Sequence, residues 1–421
     1  MKKFILASFF VPFAFSFIFA EKINWDIIVR QTNDKNPSIQ TAKIRLENAK
    51  YAYDRAFSGY LPGVSLRGAA SQGNSQTVTG DYRFSRNYSY GLNASLSIFS
   101  GFETYNDVRQ RSAELKAAQA GYDRAVSDAA YNAAAQYVNL MWAYETVELS
   151  KRILERRKEN RDMIQLKYNS GNVDIGSLRR VEADVELSAY DLRSAQRYIQ
   201  TASAALLQAI GRKDDAVLET DERLALNERE LSVPDYNQLI TAIPEFLSAQ
   251  HNLSSYEAQA AKAKSIWWPS LSLSGGLGRS GNEWAPDRNA WDAGLSLSYS
   301  LFTGTKIIDT KVSANQLKIA EANLNSVSNT LKSNAISNFN SLVNAIEFIT
   351  ARERYLAASQ LQAEISQRKY INGLSSYQDW YSIENDYITS QRAFLDSKRS
   401  AALAKASWYN FVGEGFMQPG K

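Results

Sequence analysis

The sequence repeats itself along its length. Residues of the first half recur in the second half at a nearly constant distance, which is 207 positions for Pro37 and Pro244 and 202 positions for Gly171 and Gly373. The other matching pairs are Pro62 with Pro269, Gly68 with Gly275, Gly91 with Gly294, Phe99 with Phe302, Gly101 with Gly304, Tyr168 with Tyr370, Glu182 with Glu384 and Gly211 with Gly413. Chance would not keep one register over so many glycines and prolines, so the pattern predicts two copies of one structural unit.

Each copy predicts the same order of elements. A helix comes first, over 37–58 and 244–264, and two strands follow it. The predicted strands are 62–68 and 90–99 in the first copy and 269–277 and 291–301 in the second copy. The segments between them, 70–88 and 278–290, are rich in Gly, Ser, Asn and Asp, which predicts solvent-exposed hairpin tips.

The side chains of the predicted strands alternate between two kinds of surface. In the second strand Tyr90, Leu92 and Leu96 share one face, whereas Asn93 and Ser95 share the other. The fourth strand repeats the pattern, with Trp291, Ala293, Leu295, Leu297, Tyr299 and Leu301 on one face and Asp292, Gly294, Ser296, Ser298 and Ser300 on the other. A period of two predicts strands that separate an apolar from a polar environment.

A very long helix is predicted after each hairpin. The segments 105–168 and 306–370 contain no proline, and Val126, Ala130, Ala133, Tyr137, Leu140, Tyr144 and Val147 follow heptad spacing. A helix of this length with a polar exterior must pack lengthwise on other helices, which predicts coiled-coil packing.

The long helices are expected to end at two tight turns. Tyr168 and Tyr370 each precede a glycine by three residues, and Gly171 and Gly373 are suited to the left-handed conformation that follows a helix. Asp174 and Ser376 are good N-caps and predict return helices that end before Gly211 and Gly413.

Several kinds of catalytic and binding site are missing from the sequence. It has no cysteine and one histidine, His251. Disulfides, cysteine nucleophiles, cysteine zinc sites and two-histidine metal sites are impossible, and a Ser-His-Asp triad would have to use His251. We expect a structural or surface role for His251, so the sequence predicts neither an enzyme nor a cofactor.

The first residues have the composition of a secretory signal. Lys2 and Lys3 precede an apolar stretch over 4–19 that ends at Ala20. A chain that begins near Glu21 keeps 46 of the 48 Lys and Arg residues against 44 Asp and Glu residues, so its charge predicts no nucleic-acid partner. No later apolar run approaches the roughly 20 residues of a membrane-spanning helix, so contact with a membrane would have to be made by strands.

The alternating strands allow a membrane and a soluble interpretation. Four strands cannot close a barrel in lipid, where the smallest barrels have about eight strands, so several chains would have to contribute to one barrel. The alternative is a soluble sandwich whose core is the apolar face. The secretory signal and the long helices favour the membrane interpretation.

Short motifs mark the entrances and exits of both hairpins. Tyr60-Leu61-Pro62 and Trp267-Trp268-Pro269 enter them, and Ile98-Phe99-Ser100-Gly101 and Leu301-Phe302-Thr303-Gly304 leave them. Taken with the repeat and the Tyr-x-x-Gly turns, these motifs make the whole mature chain resemble the TolC-like outer-membrane efflux protein family.

The resemblance implies an α+β membrane protein. Long helices form a coiled-coil barrel, and four strands per chain contribute to a trimeric, twelve-stranded transmembrane β-barrel. The implied homotrimer lies in outer-membrane lipid with a helical extension in the periplasm, where it meets a periplasmic adaptor protein and an inner-membrane transporter. The implied function is a passive export duct of a tripartite efflux or type I secretion system.

The resemblance also suggests roles for individual residues. The aromatic residues at the strand ends are expected at the membrane interface, and they are Tyr60, Trp267, Trp268, Phe99 and Phe302. In the family, acidic residues after the second turn close the periplasmic end as a ring, and the matching candidate here is Asp379. The alternative is that Asp379 only complements the dipole of its helix. A second acidic position expected by the family is Ser382 here, so a second ring would depend on Glu384 or Asp386.

Two clusters on the helices have less specific interpretations. Six basic residues interleave with Glu155 and Glu159, which favours a solvated helix face over an adaptor-docking site; they are Lys151, Arg152, Arg156, Arg157, Lys158 and Arg161. Five aromatic residues near the second turn favour packing between helices over lining of an entrance; they are Tyr370, Tyr377, Trp380, Tyr381 and Tyr387.

The predicted organisation is a signal over 1–20, a first repeat over 21–211, a linker over 212–243 and a second repeat over 244–421. The rival function is a secreted coiled-coil structural or adhesive protein of the cell surface, in which the hairpins form a soluble cap.

Overall fold

The structure is a computed structural model that describes residues 21–76, 78–224 and 232–415. The predicted signal over 1–20 lies outside the described residues. The helices are α1 (Trp25–Lys35), α2 (Pro37–Phe57), α3 (Glu103–Asn169), α4 (Ile175–Ile210), α5 (Tyr236–Ala242), α6 (Pro244–Ala263), α7 (Thr305–Ile371) and α8 (Tyr377–Val412). The strands are β1 (Glu21–Lys22), β2 (Gly63–Gln76), β3 (Tyr82–Ser100), β4 (Leu218–Glu219), β5 (Ser270–Gly281) and β6 (Arg288–Ser298). Within this described part of the chain, no helix has both the length and the apolar character needed to cross a membrane.

The chain divides into two compact units. Of the described residues, 21–37, 127–224, 232 and 338–415 belong to the helical unit, and 38–76, 78–126 and 233–337 belong to the sheet unit. Helices α3 and α7 contribute residues to both units. Each of these helices has 67 residues, and the return helices α4 and α8 have 36 residues each.

The core of the helical unit follows the predicted heptad seam of α3. Ala133, Tyr137 and Leu140 are fully buried against α1, α4 and α8, and the ring of Trp25 stacks on Tyr137 with centroids 6.2 Å apart. The hydroxyl group of Tyr137 lies 2.8 Å from that of Thr220, and burial raises the pKa of Tyr137. The spacing of the seam therefore predicted the buried face correctly.

Two short elements tie the beginning of the described chain to this core, and the sequence patterns did not predict them. Strand β1 pairs in parallel with β4, with Glu21 opposite Leu218. Arg212 donates two hydrogen bonds to the Glu21 carboxylate, at 2.7 and 2.6 Å, and two more to Asp214. The bonds from Arg212 to Asp214 lower the pKa of Asp214 to about 2.

The sheet unit contains a four-stranded antiparallel sheet in the order β2-β3-β5-β6. Its register places apolar residues in cross-strand rows, for example Leu66, Leu92, Leu277 and Trp291. The next row carries Ser65, Asn93, Gly276 and Asp292. Since neighbouring residues of a strand point to opposite faces, the sheet has one apolar and one polar face, as predicted.

The strand boundaries required a correction. Most of 70–88, predicted as a hairpin tip, belongs to β2 and β3, and β5 and β6 likewise extend into 278–290. The prediction was wrong because Ser, Asn and Gly were taken as signs of a loop. In the structure most of these residues lie on the polar face of a continuous ladder, and they alternate along the strand with apolar-face residues such as Phe84 and Tyr88. At its other end β6 stops at Ser298, three residues before the predicted end at 301.

The exit from the first hairpin depends on glycine. Gly101 has a φ of 64°, and a Cβ atom there would lie 2.5 Å from the carbonyl oxygen of Ser265 and 2.9 Å from Cβ of Trp268. Phe102 follows with a φ of 68°. The matching Gly304 has open space around it, so the two strand exits share a sequence motif but not a conformation.

Candidate functional site

Two tight turns of the helical unit join the long helices to their return helices. Gly171 follows α3 with a φ of 76°, and Gly373 follows α7 with a φ of 75°. The amide of each glycine donates to the carbonyl of the tyrosine three residues before it, Tyr168 or Tyr370. The structure therefore places all four predicted turn residues in turns with a left-handed glycine, which satisfies carbonyl groups that a helix end leaves free.

Each return helix begins with a side-chain cap. Asp174 accepts hydrogen bonds from the amide and the hydroxyl of Ser177, at 2.9 and 2.7 Å. Ser376 accepts from the amide of Asp379 at 3.1 Å and donates its hydroxyl to the Asp379 carboxylate at 2.6 Å. Both predicted N-caps are confirmed, and Asp379 takes part in a reciprocal cap.

Asp379 is exposed although it contributes to this cap. Its carboxylate binds the Ser376 hydroxyl, while its backbone amide is bound separately by the same hydroxyl oxygen. Removal of the carboxylate would leave the hydrogen bond from the backbone amide of residue 379 to Ser376 in place, because the two contacts use different atoms of Asp379. The exposed charge is therefore separable from the start of the helix.

The end of α3 is tied to the end of α7 by one lysine. Nζ of Lys167 donates to the carbonyl oxygens of Tyr370 and Ile371, at 3.1 and 3.4 Å, and lies 4.7 Å from the centre of the Tyr370 ring. These carbonyl groups lie at the C-terminal end of α7, which carries a partial negative charge, so the ammonium group of Lys167 stabilises it.

The aromatic residues near the second turn pack between helices, as the favoured interpretation predicts. Tyr370 stacks on Trp380 with centroids 5.1 Å apart, and Tyr377 stacks on Tyr381 at 5.5 Å. Ile164, Leu178 and Val181 of the first helix pair complete this buried cluster. Burial, helped by the neighbouring Tyr381 and Asp184, raises the pKa of Tyr377 to about 12.

A polar chain borders the aromatic cluster. The hydroxyl of Tyr381 donates to Asp184 at 2.7 Å and accepts from Nε of Arg180 at 2.9 Å. Arg157 joins from α3, since it lies 3.6 Å from Asp184 and donates to Asn385. Helices α3, α4 and α8 are thus connected by hydrogen bonds and ion pairs.

One ion pair of this region involves a carboxylate that is 1% exposed, Glu384. Arg156 donates two hydrogen bonds to it, at 2.5 and 2.8 Å, and Asn160 donates a third at 3.0 Å. Arg156 also lies 4.9 Å from the ring centre of Tyr387. The bonds to Glu384 raise the pKa of Arg156 although burial opposes the shift.

These contacts correct two expectations. The basic cluster is not a uniformly solvated face, because Arg156 and Arg157 point inward to acidic and amide partners that only folding brings near them. Lys151 and Lys158 do form exposed pairs along their own helix. Glu384 is buried and paired, so it is unavailable to a second acidic ring.

Asp386 remains exposed but is bound by its neighbours. Its carboxylate accepts from the Tyr355 hydroxyl at 3.0 and 3.2 Å and from the Ser359 hydroxyl at 3.3 Å. Asp386 thus links α8 to α7.

The predicted interface aromatics lie at strand ends of the sheet unit. Trp267 and Trp268 are exposed, and Phe99 and Trp268 both make edge contacts to Phe102. Nε1 of Trp267 donates to Thr310 at 3.2 Å. The remaining two predicted residues, Tyr60 and Phe302, are also exposed.

His251 lies in α6 and is half-buried. Burial lowers its pKa, and the charge of Lys116 lowers it further. Among residues 21–76, 78–224 and 232–415, no three His, Asp or Glu side chains lie close enough to share a metal ion.

Sequence reasoning missed the pairing of Glu384 with Arg156 and the chain from Arg180 to Asp184. The heptad positions found in the sequence end at Val147 and do not reach these residues. Their charge gave no signal by itself, because a charged residue predicts a partner of opposite charge only once its burial is known.

Related proteins match nine-tenths of the chain or more. The cation efflux system protein CusC of Escherichia coli O157:H7 is 21% identical over 409 residues, which cover 93% of this chain and 86% of that protein. Nodulation protein T of Rhizobium leguminosarum bv. trifolii is 24% identical over 90% of this chain and 82% of its own length.

Solved structures share the fold. The Campylobacter jejuni CmeC outer membrane channel superposes with a TM-score of 0.81 at 20% identity, and covers 94% of this chain and 86% of that one. The open state of the Neisseria gonorrhoeae MtrE outer membrane channel superposes with a TM-score of 0.79 at 20% identity, and covers 94% and 90%.

The family model described as "Outer membrane efflux protein" matches residues 28–212 and 236–414. It therefore spans the capped turns, the sheet and both long helices. This match does not favour a secreted structural or adhesive protein. The chain belongs to the outer membrane efflux protein family, and it is a channel component of the outer membrane and not an enzyme.

Proposed function

We propose that this chain is the passive outer-membrane duct of a tripartite efflux or type I secretion system. Three copies would close one twelve-stranded barrel, to which each chain contributes β2, β3, β5 and β6. A periplasmic adaptor protein and an inner-membrane transporter would deliver the cargo, so the duct needs no chemistry of its own.

The observation that carries this proposal is the exposed apolar face of the sheet. Leu66 is 77% exposed, Leu297 is 70% exposed and Trp291 is 82% exposed. A soluble sandwich would cover such residues, because an exposed apolar patch of this extent is unfavourable in water. Lipid is a suitable environment for this face, and exposed aromatics such as Trp268 at the strand ends suit the membrane interface.

The edges of the sheet support several chains per barrel. Among the described residues, strands β2 and β6 each pair with another strand on one side only. Lipid supplies no partner for the backbone groups of the other side, so each edge needs another strand. Pairing of β6 with β2 of the next copy would satisfy both edges.

The division into a removed signal over 1–20, repeats over 21–211 and 244–421, and a linker over 212–243 belongs to this proposal. The recurring lengths of the long and return helices support the two repeats. The pairing of β1 with β4 supports a mature chain that begins near Glu21, because this residue is held by Arg212.

The capped turns, Tyr168 to Gly171 and Tyr370 to Gly373, would form the periplasmic tips, with Asp379 as the gate residue. Three exposed carboxylates around one axis would repel each other and attract cations. The tip also contains polar atoms that are buried without a hydrogen-bond partner among the described residues, namely Oη of Tyr370 and Nε1 of Trp380. Such atoms cost about 1–3 kcal/mol each, which supports a closed tip that can rearrange.

The duct is tested by purification from the outer membrane and reconstitution in planar lipid bilayers. A detergent-stable trimer that forms pores is expected, together with loss of export from cells that lack the chain. Recovery as a soluble monomer that forms no pores would overturn the proposal. Protease cleavage near Asn74 and Asn282 on intact cells, combined with detergent extraction, would separate this function from a secreted adhesive protein. The duct should need detergent for its extraction, whereas the adhesive protein should not.

The gate is tested with Asp379→Ala, which should raise the conductance and weaken block by multivalent cations. The start of α8 should be retained, because Ser376 still binds the backbone amide of residue 379. A double variant, Ser376→Asp with Asp379→Ser, keeps a cap and the net charge but moves the carboxylate by three residues. The matched control is Asp174→Ser with Ser177→Asp at the first turn, which should not change the block. Unchanged conductance and cation block in Asp379→Ala would leave only the capping role.

A further inference from the structure

The polar face of the sheet carries a few charged residues along its strands. Its side chains are mainly Ser, Gly, Asn and Ala, and its charged residues are Arg67, Arg83, Arg288 and Asp292. Arg83 pairs with Ser75 next to the first hairpin connection, and Arg288 is the first residue of β6. All four charged side chains are exposed.

The arginines of the two faces have different surroundings. On the apolar face, Arg86 lies 5.2 Å from the centre of the Phe84 ring, and Nε of Arg279 donates to Asn289 at 2.9 Å. On the polar face, the guanidinium groups of Arg67, Arg83 and Arg288 form no hydrogen bond or ion pair with another residue that the structure describes.

We propose that Arg67, Arg83 and Arg288 make the wall of the duct attractive to anions, so that it favours solutes with carboxylate, sulfate or phosphate groups. This inference rests on the proposed function, which makes the polar face the wall of a water-filled lumen. Three guanidinium groups and one carboxylate give this face a net charge of +2 per chain, and hence +6 in three copies.

The expected effect follows from electrostatics in a confined aqueous space. Charges of one sign on the wall of a cleft raise the local concentration of counter-ions and lower that of ions with the same sign. The Debye length is about 10 Å at 0.1 M salt and about 3 Å at 1 M, so the effect should be visible at the lower concentration and largely screened at the higher one. Asp292 opposes the arginines on the same face, and Asp81, Glu283 and Asp287 in the hairpin connections add negative charge beyond the strand ends.

The test measures the reversal potential of single channels in planar bilayers under a potassium chloride gradient near 0.1 M. The triple variant Arg67→Gln, Arg83→Gln and Arg288→Gln should lower the chloride-to-potassium permeability ratio by about twofold or more, since a potential of one kT changes ion concentration about 2.7-fold. The corresponding triple Arg→Lys variant should keep the wild-type ratio, and near 1 M salt the difference should shrink.

A matched control removes the same number of charges from either face. Arg83→Gln with Arg288→Gln should shift the permeability ratio, whereas Arg86→Gln with Arg279→Gln should not. If the triple variant does not assemble, the three single Gln variants provide the measurement, and each should shift the ratio in the same direction. Pores with an unchanged ratio in the triple variant, or equal shifts from both double variants, would overturn the inference while leaving the duct intact. A wild-type chain that forms no pores would instead overturn the proposed function and this inference with it.

Discussion

The two turns of the helical unit have one backbone geometry and different chemistry. Gly171 and Gly373 have φ values of 76° and 75°, and return helices of 36 residues follow both turns. The caps, however, use the same residue types in reverse order. Asp174 is followed by Ser177 in the first turn, whereas Ser376 is followed by Asp379 in the second.

The reversal shows that helix capping does not determine where the carboxylate lies. Either order satisfies an amide at the beginning of the helix and joins the hydroxyl to the carboxylate. The position of Asp379 is therefore available for a second role, such as the gate proposed for it.

Farther along the return helices, two matching glutamates have different surroundings, and this difference should affect stability. Glu182 and Glu384 hold matching positions in the sequence. Glu182 pairs with Arg179 of its own helix, and that arginine is 72% exposed. Glu384 is buried against Arg156 and Asn160 of another helix.

The largest effect should come from Glu384→Ala. It leaves Arg156 without its partner, and loss of one member of a buried pair costs about 3–5 kcal/mol. The matched control Glu182→Ala should cost only about 0.2–1 kcal/mol, as is typical of exposed pairs. Thermal unfolding of the detergent-solubilised protein, followed by circular dichroism, measures both, and Glu384→Gln should give an intermediate loss. Equal losses from the two alanine variants would show that the burial of Glu384 contributes nothing.

Alanine at the turn glycines should have a smaller effect that is the same in both turns. Nothing lies within 4 Å of a Cβ atom added to Gly171 or Gly373, so the cost is that of the left-handed conformation alone. That cost is about 1–2 kcal/mol. Gly121→Ala, in the interior of α3 with equally open space, should instead stabilise the protein by about 0.5–1 kcal/mol. A clear difference between the two turn variants in thermal unfolding would contradict the view that their backbones are equivalent.

The sequence was sufficient to predict features that depend on neighbouring residues. Asp174 and Ser376 cap helices wherever the chain goes next, and the left-handed glycines follow from the end of a helix. The alternation of Leu92 and Asn93 likewise predicts two faces without any knowledge of the partner strand.

Features that depend on distant residues were not predictable in this way. Glu384 and Arg156 are 228 positions apart, and nothing near Glu384 distinguishes it from Glu182 before the helices pack. The strand ends were missed for a related reason. Residues such as Asn87 resemble a loop unless the opposite residue, Ser71, is known to continue the ladder.

The smallest expected effect concerns the pH dependence of the two caps. Hydrogen bonds from the hydroxyl and the amide of Ser177 lower the pKa of Asp174. The stabilisation from this carboxylate is therefore fully present above the unfolded pKa of about 3.9, and it is lost as the pH falls through the lower folded value. Asp174→Asn keeps an amide-accepting cap but does not titrate, so it should lose less thermal stability than the wild type between pH 7 and pH 3. The difference should be small because Asp174 is fully exposed. Ser376→Asn replaces the N-cap of the second turn and leaves the Asp174 carboxylate in place, so it is the matched control and should keep the pH dependence of the wild type. If Asp174→Asn and the wild type lose equal stability, the two caps respond to acid alike and the reversed order of their residues has no consequence for the stability of the turns.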